Sequence, residues 1–157
     1  MKKSLLYLSL LSFLLIFSCN NGDDEDDEPA ITGSGTISLQ GSDTDKVGTS
    51  LVVGNVAYGR DDLTGLEESI IVVDEGSTIT DTVHPKDPMN TFVMVVSDIA
   101  ISMSIIKNGT KYDYTCAMDA CGEIDFDVSG KKAVLDNTIV VNAETSEVLV
   151  MDGVITW

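Results

Sequence analysis

Three acidic residues, Glu123, Asp125 and Asp127, alternate along one short segment of the chain. In a β-strand, side chains two residues apart project from the same face, so the three carboxylates would form a row. Ca²⁺ prefers oxygen ligands, often carboxylates, and takes roughly six to eight of them. The row is therefore a candidate Ca²⁺ site. The alternative is a solvated strand face that binds no metal.

Two cysteines precede this row, and their spacing favours a disulfide bond. Cys116 and Cys121 would close a small loop in an oxidising compartment. Metal ligation is the alternative, but thiolate zinc sites usually need two more ligands, and the only histidine, His84, is distant in sequence. The spacing also differs from the Cys-x-x-Cys of redox motifs. We predict a Cys116–Cys121 disulfide.

No residue pattern in the chain indicates a catalytic centre. His84 lies between Val83 and Pro85, in a segment that two prolines exclude from a central strand, and no nucleophile motif accompanies it. Carboxylates are abundant, but nothing marks the pair that a glycosidase needs. We therefore predict a non-enzymatic protein. A carboxylate-based hydrolase is an alternative, and it would require acidic groups clustered in a cleft.

The segments that position these residues have the pattern of β-strands. Short runs rich in Val, Ile and Thr recur between Gly, Asp, Asn and Ser, and no apolar repeat of helical period extends over three turns. About nine or ten strands with short connections predict an all-β, antiparallel fold. We expect a β-sandwich, with an up-and-down β-barrel as the alternative. Outside the hairpin described next, the predicted strands are 36–39, 50–58, 69–73, 78–83, 91–96, 123–128, 133–141 and 148–157.

A hairpin turn at Asn108-Gly109 is the best-defined local feature. Asn-Gly favours a two-residue type I′ turn, in which both residues have positive φ. The resulting register places Ile105 opposite Tyr112, Met103 opposite Tyr114, and Ile101 opposite Cys116. All of these apolar side chains then share one face, so the predicted register is self-consistent.

The N-terminal segment has the anatomy of a secretory signal peptide. Lys2 and Lys3 precede an apolar run over 5–17, and Ser18-Cys19 follows it. The run is shorter than the ~20 residues of a membrane span. Residues 1–19 resemble a bacterial lipoprotein signal, although Phe17 stands where a small residue is commoner. The resemblance implies cleavage after residue 18, acyl chains on Cys19 and attachment to the outer membrane.

An acidic segment separates Cys19 from the rest of the chain. Residues 23–28 read Asp-Asp-Glu-Asp-Asp-Glu, and such a block repels itself, so 19–29 is predicted to be a disordered tether. The segment is similar to the surface-export signal of lipoproteins in the Bacteroidota, which implies exposure at the cell surface. Residues 30–157 follow as one predicted domain, whose 20 acidic and seven basic residues argue against nucleic acid as a partner.

The sequence therefore predicts a surface lipoprotein that binds an unknown protein or glycan partner, or that has a structural role in the envelope. A β-barrel with an internal cavity for a small ligand is the alternative, and it requires an inward face poor in bulky residues. Asp81-Thr82-Val83 resembles the short acceptor sequence for O-glycosylation in exported Bacteroidota proteins, which makes Thr82 a candidate glycosylation site. Apart from Ca²⁺, no cofactor is predicted.

Overall fold

The computed structural model describes residues 32–157, which form eleven β-strands. The predicted signal peptide 1–18, Cys19, the tether 19–29 and the first two residues of the predicted domain lie outside the described residues. The strands are β1 (Thr32–Gly41), β2 (Ser50–Tyr58), β3 (Ser69–Asp74), β4 (Thr78–Ile79), β5 (Val83–His84), β6 (Asn90–Ser97), β7 (Ala100–Lys107), β8 (Thr110–Ala117), β9 (Glu123–Asp127), β10 (Lys132–Asn142) and β11 (Val148–Thr156).

Helical structure is confined to short segments between strands. The helix α1 (Thr44–Val47) follows β1, α2 (Asp61–Thr64) follows β2, and a 3₁₀ turn (Met118–Cys121) follows β8. Within residues 32–157, no helix has the length and apolar character needed to cross a membrane.

Eight of the strands close into an antiparallel β-barrel. Their order around the barrel is β1, β2, β3, β6, β7, β8, β10 and β11, and the pairing of β11 with β1 completes the ring. A sandwich consists of two separate sheets with free edges, whereas these eight strands each have a partner on both sides. The expected sandwich is therefore not observed. The structure has instead the barrel that was the alternative expectation.

The strands β8 and β9 together occupy one position in the wall. Both pair with β10 in the same antiparallel sense, β8 at Thr115–Val141 and β9 from Glu123–Asp136 to Asp127–Lys132. They are two parts of a single interrupted strand, and the 3₁₀ turn is the interruption. This arrangement explains why eleven strands build an eight-membered ring: β9 extends β8, while β4 and β5 form a separate small hairpin.

The predicted β7–β8 hairpin is confirmed in both turn and register. Asn108 and Gly109 have φ of 52° and 78°, as a type I′ turn requires. Ile101, Met103 and Ile105 pair with the three residues predicted, and their side chains are buried. The segment predicted as a strand over 78–83 contributes only β4 and the first residue of β5, outside the barrel.

Large side chains fill the interior of the barrel. Eight strands enclose a space that side chains can fill completely or that can hold one small ligand. Inward positions of every barrel strand contribute to one apolar cluster. The largest fully buried side chains are Tyr114, Ile37, Ile70, Met94, Ile101, Met103, Leu135, Leu149, Met151, Ile155, Val56 and Val72. These bulky residues occupy the positions that an enclosed ligand cavity would need to leave small.

The two ends of the barrel are closed differently. At the N-terminal end, where β1 begins and β11 finishes, Trp157 stacks on Tyr58 and Phe126 with ring centroids 6.1 and 5.6 Å apart. At the opposite end, which we call the distal end, α1 covers the core with the buried Val47. The distal end also carries the loop 75–89, the Asn108-Gly109 turn and the turn after β10.

Candidate functional site

A notch in the barrel wall opens at the distal end. The β2–β3 pairing stops at Val53–Asp74 and the β3–β6 pairing at Val73–Val93, because β3 turns away after Asp74. The first residues of β2 and β6, 50–52 and 90–92, therefore face each other without a strand between them. A groove with a volume of about 260 Å³ lies in this gap.

The groove has an apolar floor and a polar rim. Val47, Leu51, Phe92 and Ile105 belong to the core and line its base. Ligand sites in proteins are concave and mostly apolar, with a few polar groups that fix orientation. The polar groups here are Ser50, Asp74, Glu75, Asn90, Thr91 and Lys107. The groove thus combines a small apolar contact surface with carboxylates on one strand end and an ammonium on β7.

Hydrogen bonds fix the carboxylate of Asp74 at the rim. The hydroxyl of Ser77 donates to Asp74 Oδ1 at 2.8 Å, and the hydroxyl of Thr91 donates to the same oxygen. Ser77 is itself buried and accepts a hydrogen bond from the backbone N–H of Lys86 at 3.0 Å. The rim carboxylate is therefore held in one position by the loop 75–89 and by β6.

Gly54 permits the close approach of β3 to β2 at this point. A Cβ atom on Gly54 would lie 2.3 Å from the Glu75 Cα and 2.6 Å from the Asp74 carbonyl oxygen. Contacts this short with backbone atoms cannot be relieved by side-chain movement. The β2–β3 register also shifts here, between Val53 and Asn55. A glycine is thus required for the bulge that sets Asp74 and Glu75 at the rim.

A second polar cluster is buried beside α1. The carboxylate of Asp43 is fully buried, and Lys46 Nζ donates to its Oδ1 at 2.6 Å. The Tyr114 hydroxyl donates to Asp43 Oδ2 at 2.9 Å, and Asn142 Nδ2 donates to the same oxygen at 3.4 Å. Lys46 Nζ also contacts Glu147 Oε2 at 2.6 Å. The cluster ties α1 to β8 and β10, and so closes the distal end.

The cluster shifts the pKa values of Asp43 and Lys46 in the directions that favour their charged forms. Burial acts to raise the pKa of Asp43, but the net pKa is lowered, because Lys46 and Tyr114 donate hydrogen bonds to the carboxylate and Lys46 adds its positive charge. Hydrogen bonds to Asp43 and Glu147 raise the pKa of Lys46. Burial, followed by the hydrogen bond to Asp43, raises the pKa of Tyr114. Asp43 and Lys46 therefore form an ion pair at neutral pH.

The predicted disulfide is confirmed. Cys116 and Cys121 are bonded, with Cα atoms 5.0 Å apart. Cys116 is the last inward residue of β8, and Cys121 ends the 3₁₀ turn, so the bond closes the interruption between β8 and β9. Its position in the fold is structural, at a break in the barrel wall.

The acidic row lies in the strand β9. Glu123, Asp125 and Asp127 belong to β9, and the first two are exposed on the outer face. Asp127 Oδ1 accepts hydrogen bonds from the Ser129 hydroxyl and the Gly130 N–H, both at 2.8 Å, which orient it toward the following turn. Within residues 32–157, no group of three or more His, Cys, Asp or Glu side chains is arranged to hold a metal ion. Ca²⁺ binding by these residues stays a prediction, with the solvated strand face as its alternative.

The remaining candidates lie apart from one another. Thr82 is exposed in the connection between β4 and β5, as a modified residue would be, and its glycosylation stays a prediction. His84 is also exposed, and its Nε2 contacts the hydroxyls of Thr80 and Thr82 at 3.1 and 3.4 Å. Trp157 packs against the core as a lid on the N-terminal end. Cys19 lies outside the described residues.

Both polar sites of the distal end escaped the sequence analysis. No local pattern indicated the buried cluster around Asp43, because its partners Tyr114 and Asn142 are 71 and 99 residues away in sequence. The sequence contained only part of the information needed to locate the groove, which is the turn at 74–76 that ends β3. No known protein-family model matches this chain, and no curated protein or solved structure is significantly similar to it.

Proposed function

We propose that this chain is a non-enzymatic, lipid-anchored module of the outer cell surface that binds a small amphipathic ligand at the distal end of its β-barrel. The observation that carries the proposal is the groove in the notch between β2 and β6. The groove lies at the end opposite to the start of β1, where the predicted tether joins the barrel. A chain anchored at Cys19 would therefore present the groove away from the membrane.

The lining of the groove indicates the chemistry of the ligand. Leu51, Phe92 and Ile105 offer apolar contact over a small area. The rim carries two adjacent carboxylates, Asp74 and Glu75, against the one ammonium of Lys107. The strongly negative charge of the whole chain, −17, adds to the local preference for a cationic group. We expect a ligand with a short apolar part and an ammonium or similar donor group that faces Asp74 and Glu75.

The proposal can be tested with simple probes of matched length. We would titrate hexylammonium, hexanol and hexanoate into the ¹⁵N-labelled full chain carrying Cys19→Ser, which keeps the protein unlipidated, and follow amide resonances by NMR. Hexylammonium should bind most tightly and shift resonances of the groove residues. Glu75→Gln should weaken its binding several-fold, whereas Glu67→Gln, an exposed residue near the N-terminal end, should not. Equal binding of hexanoate, or shifts outside the groove, would refute the proposed ligand class.

The anchoring part of the proposal needs a separate experiment. In cells that express the full chain, Cys19→Ser should move the protein from the membrane fraction to the soluble fraction, because the acyl chains would have no attachment site. Ser18→Ala, which keeps a small residue before the cysteine, serves as the control and should remain in the membrane fraction. Retention of the Cys19→Ser variant in the membrane would refute lipid anchoring while leaving the groove proposal intact.

A further inference from the structure

An exposed apolar surface runs along the outer face of β10 and β11. Six aliphatic residues face outward there in three cross-strand pairs, which are Val134–Val154, Ile139–Val150 and Val141–Val148. Directly opposed side chains in an antiparallel pair contact each other, so each pair forms one apolar contact across the two strands. We call these six residues the β10–β11 ribbon.

The side chains of the ribbon are accessible to solvent. Val154, Ile139, Val148 and Val141 are 44%, 39%, 37% and 36% exposed, and Val134 and Val150 are half-buried. Exposed apolar residues scattered singly on a surface need no explanation, but a contiguous group usually marks an interaction site. Within the ribbon, Ile139, Val150, Val141 and Val148 adjoin one another, while the bulge in β10 and Asp152 separate them from Val134 and Val154. The inward neighbours Val140 and Leu149 already supply the core. The apolar character of the ribbon is therefore not required by the barrel interior.

Acidic residues border the ribbon. Asp125 of β9 pairs with Val134, and Glu123 pairs with Asp136 beside the bulge in β10. Asp152 lies between the pairs on β11, where Asp152 Oδ1 accepts a hydrogen bond from the Asn137 N–H at 2.8 Å. On the other side, β1 presents uncharged polar residues, with Thr36 beside Val154 and Gln40 beside Val150. The border is thus negative along β9, beside Val134 and Asp136, and uncharged at Thr115 of β8, which pairs with Val141, and along β1.

We propose that the β10–β11 ribbon docks a segment of another protein that carries apolar residues flanked by Lys or Arg. Charge complementarity selects this occupant, because basic residues next to an apolar stripe would meet Glu123, Asp125 and Asp136. A second copy of this chain would bring the same carboxylates to the contact and be repelled. An anionic lipid surface would be repelled for the same reason. This inference is independent of the groove, which lies in the β2–β6 notch.

The test uses three synthetic peptides of equal length that alternate Val with Lys, Val with Glu, and Ser with Lys. Each is titrated into the full chain carrying Cys19→Ser, with detection by NMR and isothermal calorimetry. The Val/Lys peptide should bind and shift resonances of β9, β10 and β11, and its affinity should fall as salt is raised. The double variant Ile139→Thr/Val150→Thr should weaken binding at least tenfold. Ile99→Thr, at another exposed isoleucine that lies outside the ribbon, should leave the affinity unchanged.

Several outcomes would overturn the inference. Equal binding of the Ser/Lys peptide would indicate charge attraction without apolar docking. Resonance shifts confined to other strands would show that the peptide binds outside the ribbon. Dimerisation of the chain that the double variant abolishes would make a second copy the occupant. Binding to vesicles of phosphatidylglycerol that the double variant abolishes would make the occupant a membrane. A circular dichroism spectrum and melting temperature close to those of the parent would establish that the double variant is folded.

Discussion

The hydroxyl of Tyr114 is a single group whose removal tests the buried cluster at the distal end. It donates to Asp43 Oδ2 at 2.9 Å from a side chain that is 1% exposed. A hydrogen bond to a charged group contributes roughly 1.5–3 kcal/mol. Without the hydroxyl, the Asp43 carboxylate would stay buried but would lose one of its hydrogen-bond donors. We expect Tyr114→Phe to lower the free energy of unfolding by about 2 kcal/mol in urea denaturation.

Tyr112→Phe is the matched control for this prediction. Tyr112 lies two residues away on β8, is half-buried and packs against the same core. No hydrogen bond of its hydroxyl is found among the described residues, so its removal should change the stability by less than about 0.5 kcal/mol. Equal losses in the two variants would mean that the Tyr114–Asp43 hydrogen bond does not stabilise the fold.

The lowered pKa of Asp43 predicts how stability depends on pH. A carboxyl whose pKa lies below its ordinary value of 3.8 binds a proton less readily in the folded chain than in the unfolded chain. Its contribution is therefore complete above the unfolded pKa and is lost as the pH falls through the folded pKa. Asp62, Asp87, Asp113 and Asp127 are shifted in the same direction and add to acid sensitivity.

Comparison with Asp43→Asn isolates the contribution of Asp43 to the pH dependence of stability. We expect the variant to be less stable at pH 7, with the gap in melting temperature closing as the pH falls below about 4 and through the lowered pKa of Asp43. Thermal melts followed by circular dichroism over this range would measure the gap. A gap that stays constant on acidification would show that the loss in the variant does not arise from the ionised carboxylate.

At the scale of elements, the disulfide supports the join between β8 and β9. The bond closes a loop of six residues, and the chain-entropy model assigns such a loop about 2 kcal/mol. We expect Cys116→Ala/Cys121→Ala to lower the stability by about that amount and to increase hydrogen exchange first at the amides of β9, which follows the break. Dithiothreitol should reproduce both effects in the parent protein and change nothing in the double variant. Uniform exchange throughout the barrel would contradict this local role.

The elements that the sequence analysis located correctly are those with local signals. The Asn108-Gly109 turn predicted the register of β7 and β8. Alternation of apolar residues located β9, and a run rich in β-branched residues located β2. The segment 78–83 was misplaced because its alternating Thr and Ile pattern resembles a strand but offers few apolar side chains to bury. The interruption after β8 was also missed as a wall element. That β9 continues β8 in the wall is visible only from their common partner β10, which lies further along the chain.

For the whole molecule, the sequence could not distinguish the expected sandwich from a barrel, because both folds require the same alternation of side chains. Closure depends on one long-range pairing, that of Ser34 to Gly41 with Thr156 to Leu149 at opposite ends of the described chain. Gly153 allows it, since a Cβ there would lie 2.6 Å from the Thr36 carbonyl oxygen. Local patterns carry no information about this contact. The groove is equally a product of the whole barrel, because it exists only where neighbouring strands differ in length.

The acidic segment behind Cys19 makes a prediction for the complete molecule in the cell. If residues 23–28 act as the export signal that they resemble, neutralising them should leave the chain anchored but facing inward. We expect replacement of Asp23 to Glu28 with Asn and Gln to protect the protein from protease added to intact cells, while membrane fractionation stays unchanged. The matched control replaces Glu67 and Glu68, two exposed acidic residues of the barrel, with Gln and should remain protease-sensitive. Undiminished sensitivity of the tether variant would show that the acidic run is only a spacer, and the distal groove would then reach the cell surface by another signal.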